Sequence, residues 1–202
     1  MDWRRVVFIA LIAASLWHLW RQWELRPVHP ADGPIAPTEP LQTDVDATTA
    51  PTAVLGRWKL TPRAYYDITA RILSREDYRF DLLSDLVPED LALGWGSMSD
   101  NQVLSAFEIT QSARFYFWRP RHKSPIPRQD VIEHSANTHV IPANSNIRSQ
   151  LARLRVGQVV HLTGLLVDGV RNDGASVRTS LTRSDTGAGA CEVMLVERVD
   201  VP

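Results

Sequence analysis

An apolar run near the amino terminus places the strongest constraint on this chain. The run VVFIALIAASLWHLW extends from Val6 to Trp20 and follows Arg4 and Arg5. It is shorter than the roughly 20 apolar residues of an ideal transmembrane helix. Tryptophans at both ends nevertheless suit the membrane–water interface, and Arg21 can extend its charge towards that interface. We therefore predict an uncleaved membrane anchor over residues 1–26.

Two other structures fit the same segment. Ala13, Ala14 and Ser15 have the small side chains of a signal-peptide cleavage site, so the run could be a removed signal peptide. It could also be an amphipathic helix that lies in the interface. For an anchor, a short basic start with a large domain behind it predicts that the amino terminus stays inside. The carboxyl-terminal domain is then expected outside the cytoplasm.

Residues 27–55 differ in composition from both neighbours. They contain six prolines, four acidic residues and no lysine or arginine. Such a segment buries too little apolar surface to offset its conformational entropy, and proline makes it extended. We predict a flexible Pro-rich linker, with an ordered loop packed on the domain as the alternative.

Residues 56–202 are predicted to form one globular domain. The hydrophobic fraction of 44% is sufficient for a core, and a net charge of −1 argues against a general nucleic-acid-binding surface. Cys191 is the only cysteine, which excludes an intramolecular disulfide and a cysteine-based zinc cage. No cofactor and no metal are predicted.

The domain shows more strand patterns than helix patterns. Apolar and polar residues alternate in YYDITARILS, from Tyr65 to Ser74, and RFYFWR is an aromatic strand pattern from Arg114 to Arg119. Three further strand candidates near the carboxyl terminus are separated by Gly-rich turns. We predict an α+β fold, mainly β, as a small β-barrel or sandwich with short helices. An oligonucleotide/oligosaccharide-binding-like (OB-like) barrel is one candidate.

The sequence also predicts short helices within the domain. In LVPEDLALGWG a proline is followed by two acids and then by glycines, which predicts a short helix from Pro88 to Gly94. Asn144–Asn146 can cap a second helix, on which Ile147, Leu151 and Leu154 share one face.

The segment HSANTHVIPAN contains His134 and His139. Five residues apart, they point about 140° apart on a helix and to opposite faces of a strand. Neither regular element would direct both at one metal ion, so we favour histidines with backbone partners in a turn.

Cys191 could act as a nucleophile with His134 or His139 as its base, because such partners need to be close only in space. The preceding TGAGA loop could supply backbone amides to an oxyanion. Cys191 also begins the apolar strand CEVMLVERV, where a small cysteine is ordinarily core packing. Packing is the preferred interpretation.

The triplet Asp185–Gly187, within DTGA, resembles the catalytic loop of retropepsin-type aspartic proteases. In those proteins the aspartate follows an apolar strand, whereas Arg183 and Ser184 precede it here. Only fifteen residues follow Gly187, which leaves no room for a flap. We interpret the triplet as a turn.

The segment RFYFWRPRHKSPIPR interleaves aromatic rings and cations without an acid. Rings that stack and cations that pair with phosphate can bind single-stranded nucleic acid or an anionic glycan, and acidic lipid headgroups are another target. A core strand with an amphipathic outer face is the preferred alternative. The candidate binding residues are Arg114, Tyr116, Trp118, Arg119, Arg121 and Lys123.

Four separated motifs, LALGWGSMSD, FYFWR, HSANTHVIPA and SDTGAGACE, carry a resemblance that extends over roughly residues 58–199. Together they resemble a family of bacterial proteins with one amino-terminal span, one exported domain and no assigned activity. The resemblance implies an inner-membrane protein with its domain in the periplasm, and it supplies no reaction.

The leading hypothesis is a membrane-anchored extracytoplasmic protein that binds a partner or supports an envelope assembly without catalysis. Its partners would be the inner membrane, through Val6 to Trp20, and a protein of the envelope; an anionic glycan or lipid is a further option. The first alternative is an envelope hydrolase or transferase that uses Cys191 with His134 or His139. The second is a nucleic-acid or anionic-glycan binding module, with nucleic acid disfavoured by the net charge.

Overall fold

The computed structural model describes residues 2–202 and begins with a long exposed helix, α1, over Trp3–Glu24. The Asp2 side chain caps it by accepting a hydrogen bond from the amide of Arg4. None of its side chains is buried. Helix α1 has 22 residues, and its most apolar window of 18 residues has a mean hydropathy of 1.2. It is long and apolar enough to cross a membrane, and a signal sequence has the same properties.

The rest of the described chain is mainly sheet, so the α+β class is confirmed at 38% strand and 22% helix. The strands are β1 (Leu41–Asp44), β2 (Ala53–Leu55), β3 (Trp58–Asp77), β4 (Glu89–Gly94), β5 (Phe107–Ser112), β6 (Phe115–Pro120), β7 (Ser135–Pro142), β8 (Val159–Arg171), β9 (Ser176–Val177) and β10 (Glu192–Asp200). The short helices are α2 (Asn101–Ser105), α3 (Arg128–Glu133) and α4 (Ser145–Leu151). A 3₁₀ turn at Gly96–Ser99 follows β4.

Five strands pair in a cycle. The long strand β3 pairs antiparallel with both β4 and β8. Strand β4 pairs antiparallel with β7, β7 pairs in parallel with β10, and β10 pairs antiparallel with β8. The strand order is therefore β3-β4-β7-β10-β8, and the last strand returns to the first.

Bulges and one glycine allow this cycle to bend. Strand β3 shifts register between Pro62 and Ala64 and again between Ile72 and Ser74, and a bulge of this kind bends its strand. Where β8 and β10 approach, a Cβ added to Gly164 would lie 2.0 Å from the carbonyl oxygen of Leu195. Only glycine permits so close an approach of the two backbones.

All five strands of the cycle contribute to one buried cluster. Its members include Tyr66 and Ile68 of β3, Leu91 of β4, Val140 of β7, Leu162 of β8 and Met194 of β10. Helix α4 packs against this cluster through Ile147 and Leu151, each of which contributes roughly 1.5–3 kcal/mol by burial. The Asn144 side chain caps α4 by accepting from the amides of Asn146 and Ile147, which confirms the predicted helix.

The region predicted as a helix from Pro88 to Gly94 is strand β4, so that prediction was wrong. Every residue from Glu89 to Gly94 is buried. One face of β4 joins the interior cluster, while Ala92 packs in a second cluster with Phe107 on the opposite face. A strand covered on both faces lacks the alternation that distinguishes a strand from a helix.

The segment predicted as a flexible linker, residues 27–55, instead lies along the domain. The amide of Val28 donates to the carbonyl of Val156 at 2.8 Å, and β1 pairs with β3. Ala36 is buried, with its amide 3.2 Å from Ser99 Oγ and its carbonyl accepting from Gly96. These backbone hydrogen bonds satisfy a segment with few apolar side chains, which composition alone does not reveal.

Candidate functional site

Strand alternation turns a set of polar side chains away from the interior cluster. Along β7, Val140 packs inside the cycle while Asn137 and His139 face outward. Register places His139 opposite Asp90 of β4. Both outward residues are buried, because the β5–β6 hairpin covers this face.

Asp90 holds the imidazole of His139. The distance from His139 Nδ1 to Asp90 Oδ1 is 2.8 Å, and Asp90 is fully buried. An ionised carboxylate accepts the Nδ1 proton, which leaves Nε2 as the second ring nitrogen available to a partner.

Arg114 neutralises the buried carboxylate and fixes the hairpin. Its NH1 lies 3.0 Å from Asp90 Oδ1, and its Nε and NH2 each lie 2.8 Å from Asp81 oxygens. The guanidinium also stacks 3.7 Å from the ring centroid of Tyr78. Arg114 and its neighbour Ala113 have positive φ values of 71° and 51°, a conformation suited to a two-residue hairpin turn.

Cys191 lies beside this pair, immediately before β10. Asn137 Nδ2 is 3.6 Å from Cys191 Sγ, and Sγ is 3.9 Å from the carbonyl oxygen of Arg114. Asn137 is itself held by Gln111, whose Nε2 donates to Asn137 Oδ1 at 2.7 Å. The thiol is therefore positioned by the Asn137 side chain of β7 and by the backbone of the hairpin turn.

The imidazole is held in its charged form. Burial by itself lowers the pKa of His139, but the hydrogen bond to Asp90 and the interaction with Cys191 outweigh it and raise the pKa to about 9. At neutral pH His139 therefore carries a positive charge, and a charged imidazole stabilises the thiolate form of a neighbouring cysteine.

A cavity of about 310 Å³ opens in front of Cys191. Its walls come from β6, α3, the start of β7 and the loop that precedes β10. The residues that line it include Phe115, Phe117, Trp118, Arg128, Ile132 and Cys191. Arg128 lies over Trp118, 5.1 Å from the ring centroid. Cys191 faces this space, whereas His139 is buried and absent from the lining.

The two predicted histidines have separate environments. His134 Nδ1 is 3.0 Å from Ser97 Oγ, and its ring packs against Gly96. His139 bonds to Asp90 and lies two residues from Asn137, whose Nδ2 approaches Cys191 Sγ. Of the two bases considered for Cys191, only His139 shares with Asn137 the face of β7 that the thiol approaches.

The predicted binding residues divide between two faces of β6. Arg114 makes the buried ion pairs, while Tyr116 and Trp118 pack in the cluster with Phe107. Arg119 pairs with Glu108, Arg121 Nε donates to the carbonyl of Phe107, and Lys123 is exposed. The aromatic rings exposed on β6 are those of Phe115 and Phe117, whose centroids are 6.2 Å apart.

Three contributors were missed by sequence reasoning. Asp90 was assigned to a helix, Asn137 was not named as a site residue, and Arg128, which ends the segment RFYFWRPRHKSPIPR, was not among the candidate binding residues. A signal for Asn137 existed in its spacing of two from His139, because residues two apart on a strand share a face. Within residues 2–202, no group of three or more His, Cys, Asp or Glu side chains could hold a metal ion.

Comparisons with protein-family models, curated proteins and solved structures give no match for this chain. The chemistry of the site is therefore the guide to function.

Proposed function

We propose that this chain is a membrane-anchored extracytoplasmic binding protein, whose domain is an OB-like barrel that takes an anionic oligosaccharide in the cavity beside β6. The single observation that carries the proposal is the position of this aromatic-walled cavity on the outer face of β7.

The strand connections support the OB-like assignment. In the order β8-β3-β4-β7, the fourth strand of the cycle returns beside the first, as in a Greek key, and β10 lies between β8 and β7. An OB-fold is a five-stranded Greek-key barrel. The interior cluster, to which all five strands contribute, fits a small barrel filled by side chains.

The position of the cavity supports a ligand-binding role. OB-folds bind oligonucleotides and oligosaccharides on the face of their second and third strands and in the loops beside it. Here those strands are β4 and β7, and the loop between the fourth and fifth strands contributes Asp185, Thr186 and Gly187 to the cavity.

The lining favours flat, apolar ligand faces with an anionic group. Phe115 and Phe117 expose 39% and 51% of their surfaces, which leaves ring area available for stacking. Arg128 presents a cation next to them, stacked on Trp118. The extracytoplasmic location inferred from α1 makes a glycan the relevant polymer, and the net charge of −1 gives no support to nucleic acid.

Binding can be measured by titrating the full chain in detergent with a defined acidic hexasaccharide and, separately, with a single-stranded oligonucleotide. Phe117→Ala and Arg128→Ala are expected to weaken hexasaccharide binding about tenfold each. Phe80→Ala and Arg198→Ala are matched controls, since both residues are exposed outside the cavity lining.

Two outcomes would overturn this function. One is the absence of hexasaccharide binding, or tighter binding of the oligonucleotide. The other is an equal loss of binding in the control variants. Topology is tested separately with a carboxyl-terminal alkaline phosphatase fusion, which is active only outside the cytoplasm; an inactive fusion would remove the extracytoplasmic assignment.

A further inference from the structure

We propose that Cys191, His139 and Asp90 form a nucleophilic thiol site that accepts an acyl group from an acyl ester bound in the cavity. Cys191 is the nucleophile, the charged imidazole of His139 stabilises the Cys191 thiolate, and Asp90 positions the imidazole. This activity goes beyond glycan binding and depends only on the inner end of the cavity.

The order of the three groups carries the inference. Asp90 lies 2.8 Å from Nδ1 of His139, and Asn137 links this pair to the thiol because its Nδ2 contacts both Asp90 and Cys191. Cys191 lines the cavity, whereas His139 does not. A ligand in the cavity therefore contacts the sulfur, and the imidazole acts on the thiol as a buried positive charge.

Asp90 and Cys191 have more polar contacts than a cysteine in a packed core requires. Arg114 and Asn137 both contact the Asp90 carboxylate, at 3.0 Å and 3.5 Å. Asn137 Nδ2 also approaches Cys191 Sγ at 3.6 Å. A cysteine that serves only as packing has no use for a buried carboxylate, an imidazole and an amide arranged around it.

The cavity limits the substrate to a small or flat acyl group. A volume of about 310 Å³ lies at the lower end of the range for small-molecule sites. The Phe115, Phe117 and Ile132 side chains offer apolar walls to the acyl chain. The small residues Gly187 and Ala190 line the cavity next to Cys191, so backbone can approach the carbonyl oxygen of the ester.

The reaction balances with water as the only other reactant. The Cys191 thiolate, stabilised by the charged imidazole of His139, attacks the carbonyl carbon. A C–S bond forms, the ester C–O bond breaks, and the leaving alkoxide takes a proton from water. The hydroxide ion that remains attacks the thioester. The C–S bond breaks, the carboxylic acid leaves, and the thiolate next to an imidazolium is restored.

The test uses the full chain in detergent with p-nitrophenyl acetate. We expect a burst of p-nitrophenolate that is stoichiometric with protein, and an acetyl group on Cys191 by mass spectrometry. Cys191→Ser should abolish the acetylated peptide, and His139→Gln should slow the burst about 100-fold. His134→Gln is the matched control and should leave the rate unchanged, because His134 is bonded to Ser97.

Asp90 acts through His139, so its readout is the pH profile. Asp90→Asn is expected to move the alkaline limb of the acetylation rate to lower pH, which a merely structural role would not do. A Cys191 that is acetylated no faster than N-acetylcysteine at the same pH would overturn the proposal, and this comparison needs no variant. An unchanged rate in folded His139→Gln would overturn it equally.

A failure of the thiol chemistry can be distinguished from a failure of the binding function. Cys191→Ser is expected to keep hexasaccharide binding, because Phe117 and Arg128 remain. If the chain binds the hexasaccharide but shows no acetylation burst, only the thiol chemistry is excluded. If Cys191 is acetylated but the hexasaccharide does not bind, only the glycan-binding function is excluded.

Discussion

Asp90 and His139 face each other across β4 and β7, with Oδ1 of the carboxylate 2.8 Å from Nδ1 of the imidazole and both side chains almost completely buried. The residues are 49 positions apart in the chain. Burying such a pair is favourable only while both partners are present, because either charge left alone is strongly destabilising.

This pair predicts that stability falls as pH rises from about 6.5 to about 9. The pKa of His139 in the folded state is about 9, raised above its ordinary value of 6.5 by Asp90 and Cys191 in spite of burial. In that interval the folded state binds more protons than the unfolded state, so each increase in pH favours unfolding. Over the whole interval the free energy of unfolding falls by an amount on the order of 3 kcal/mol.

Urea unfolding of the native chain and His139→Gln between pH 6 and pH 10 measures this effect. The native chain should lose more stability than the variant over the interval, and parallel curves would contradict the prediction. Arg114 and Glu192 are the other charged groups close to the Asp90–His139–Cys191 set, and both are unchanged in the variant.

Glu192 predicts a second pH effect, on the other face of β10. Its Oε2 atom is buried without a hydrogen-bond partner, and burial, with Asp185 nearby, raises the pKa of Glu192 to about 8. Because the folded pKa exceeds the ordinary value of 4.5, this carboxyl favours folding at low pH and opposes it as pH rises through 8. Glu192→Gln should therefore raise the free energy of unfolding at pH 9 by at least about 1 kcal/mol, with little effect at pH 4.

The control for this experiment is Glu197→Gln, on the same strand but exposed. It should change stability by less than about 0.5 kcal/mol at either pH. A Glu192→Gln variant that is less stable than the native chain at pH 9 would show that the ionised carboxylate has a stabilising partner.

Arg114 and Arg119 offer a matched pair within one hairpin. Arg114→Ala should lower the free energy of unfolding by about 3–5 kcal/mol, because it leaves the fully buried Asp90 with one partner fewer. Arg119→Ala removes an exposed pair with Glu108 and should cost at most about 1 kcal/mol. Hydrogen exchange should show faster opening of β5 and β6 in Arg114→Ala only; equal costs would contradict the role assigned to the buried ion pairs.

The packing of residues 27–55 can be tested at Ala36, which is buried against the 3₁₀ turn. Ala36→Glu should release the segment and make residues 27–40 sensitive to limited proteolysis. Ala53→Glu is the control because Ala53 is exposed. If native chain and both variants are cut equally fast in this segment, the segment is a free linker in solution.

Local patterns predicted the parts of this structure that depend on local interactions. Helix α1 follows from its apolar run, and α4 from its Asn144 cap and the shared face of Ile147 and Leu151. The alternation of RFYFWR also matches β6, where Tyr116 packs inward and Phe117 outward. Each of these signals lies within a single helix or strand.

The site could not be predicted in the same way. Asp90, His139 and Cys191 come together through the pairing of β4 with β7 and of β7 with β10, and pairing register is set by distant residues. For residues 27–55 composition favoured a flexible linker over an ordered loop for a related reason, since backbone hydrogen bonds to Val156 and Gly96 leave no trace in composition.

The hydrogen bond from Val28 to Val156 limits how far the domain can lie from the end of α1. Only Leu25, Arg26 and Pro27 lie between the end of α1 and this first attachment. Extended chain covers at most about 3.5 Å per residue, so Val28 lies within roughly 15 Å of the last residue of α1. On the proposed topology this short connection keeps the domain next to the bilayer, and a partner must come to the membrane surface to meet it.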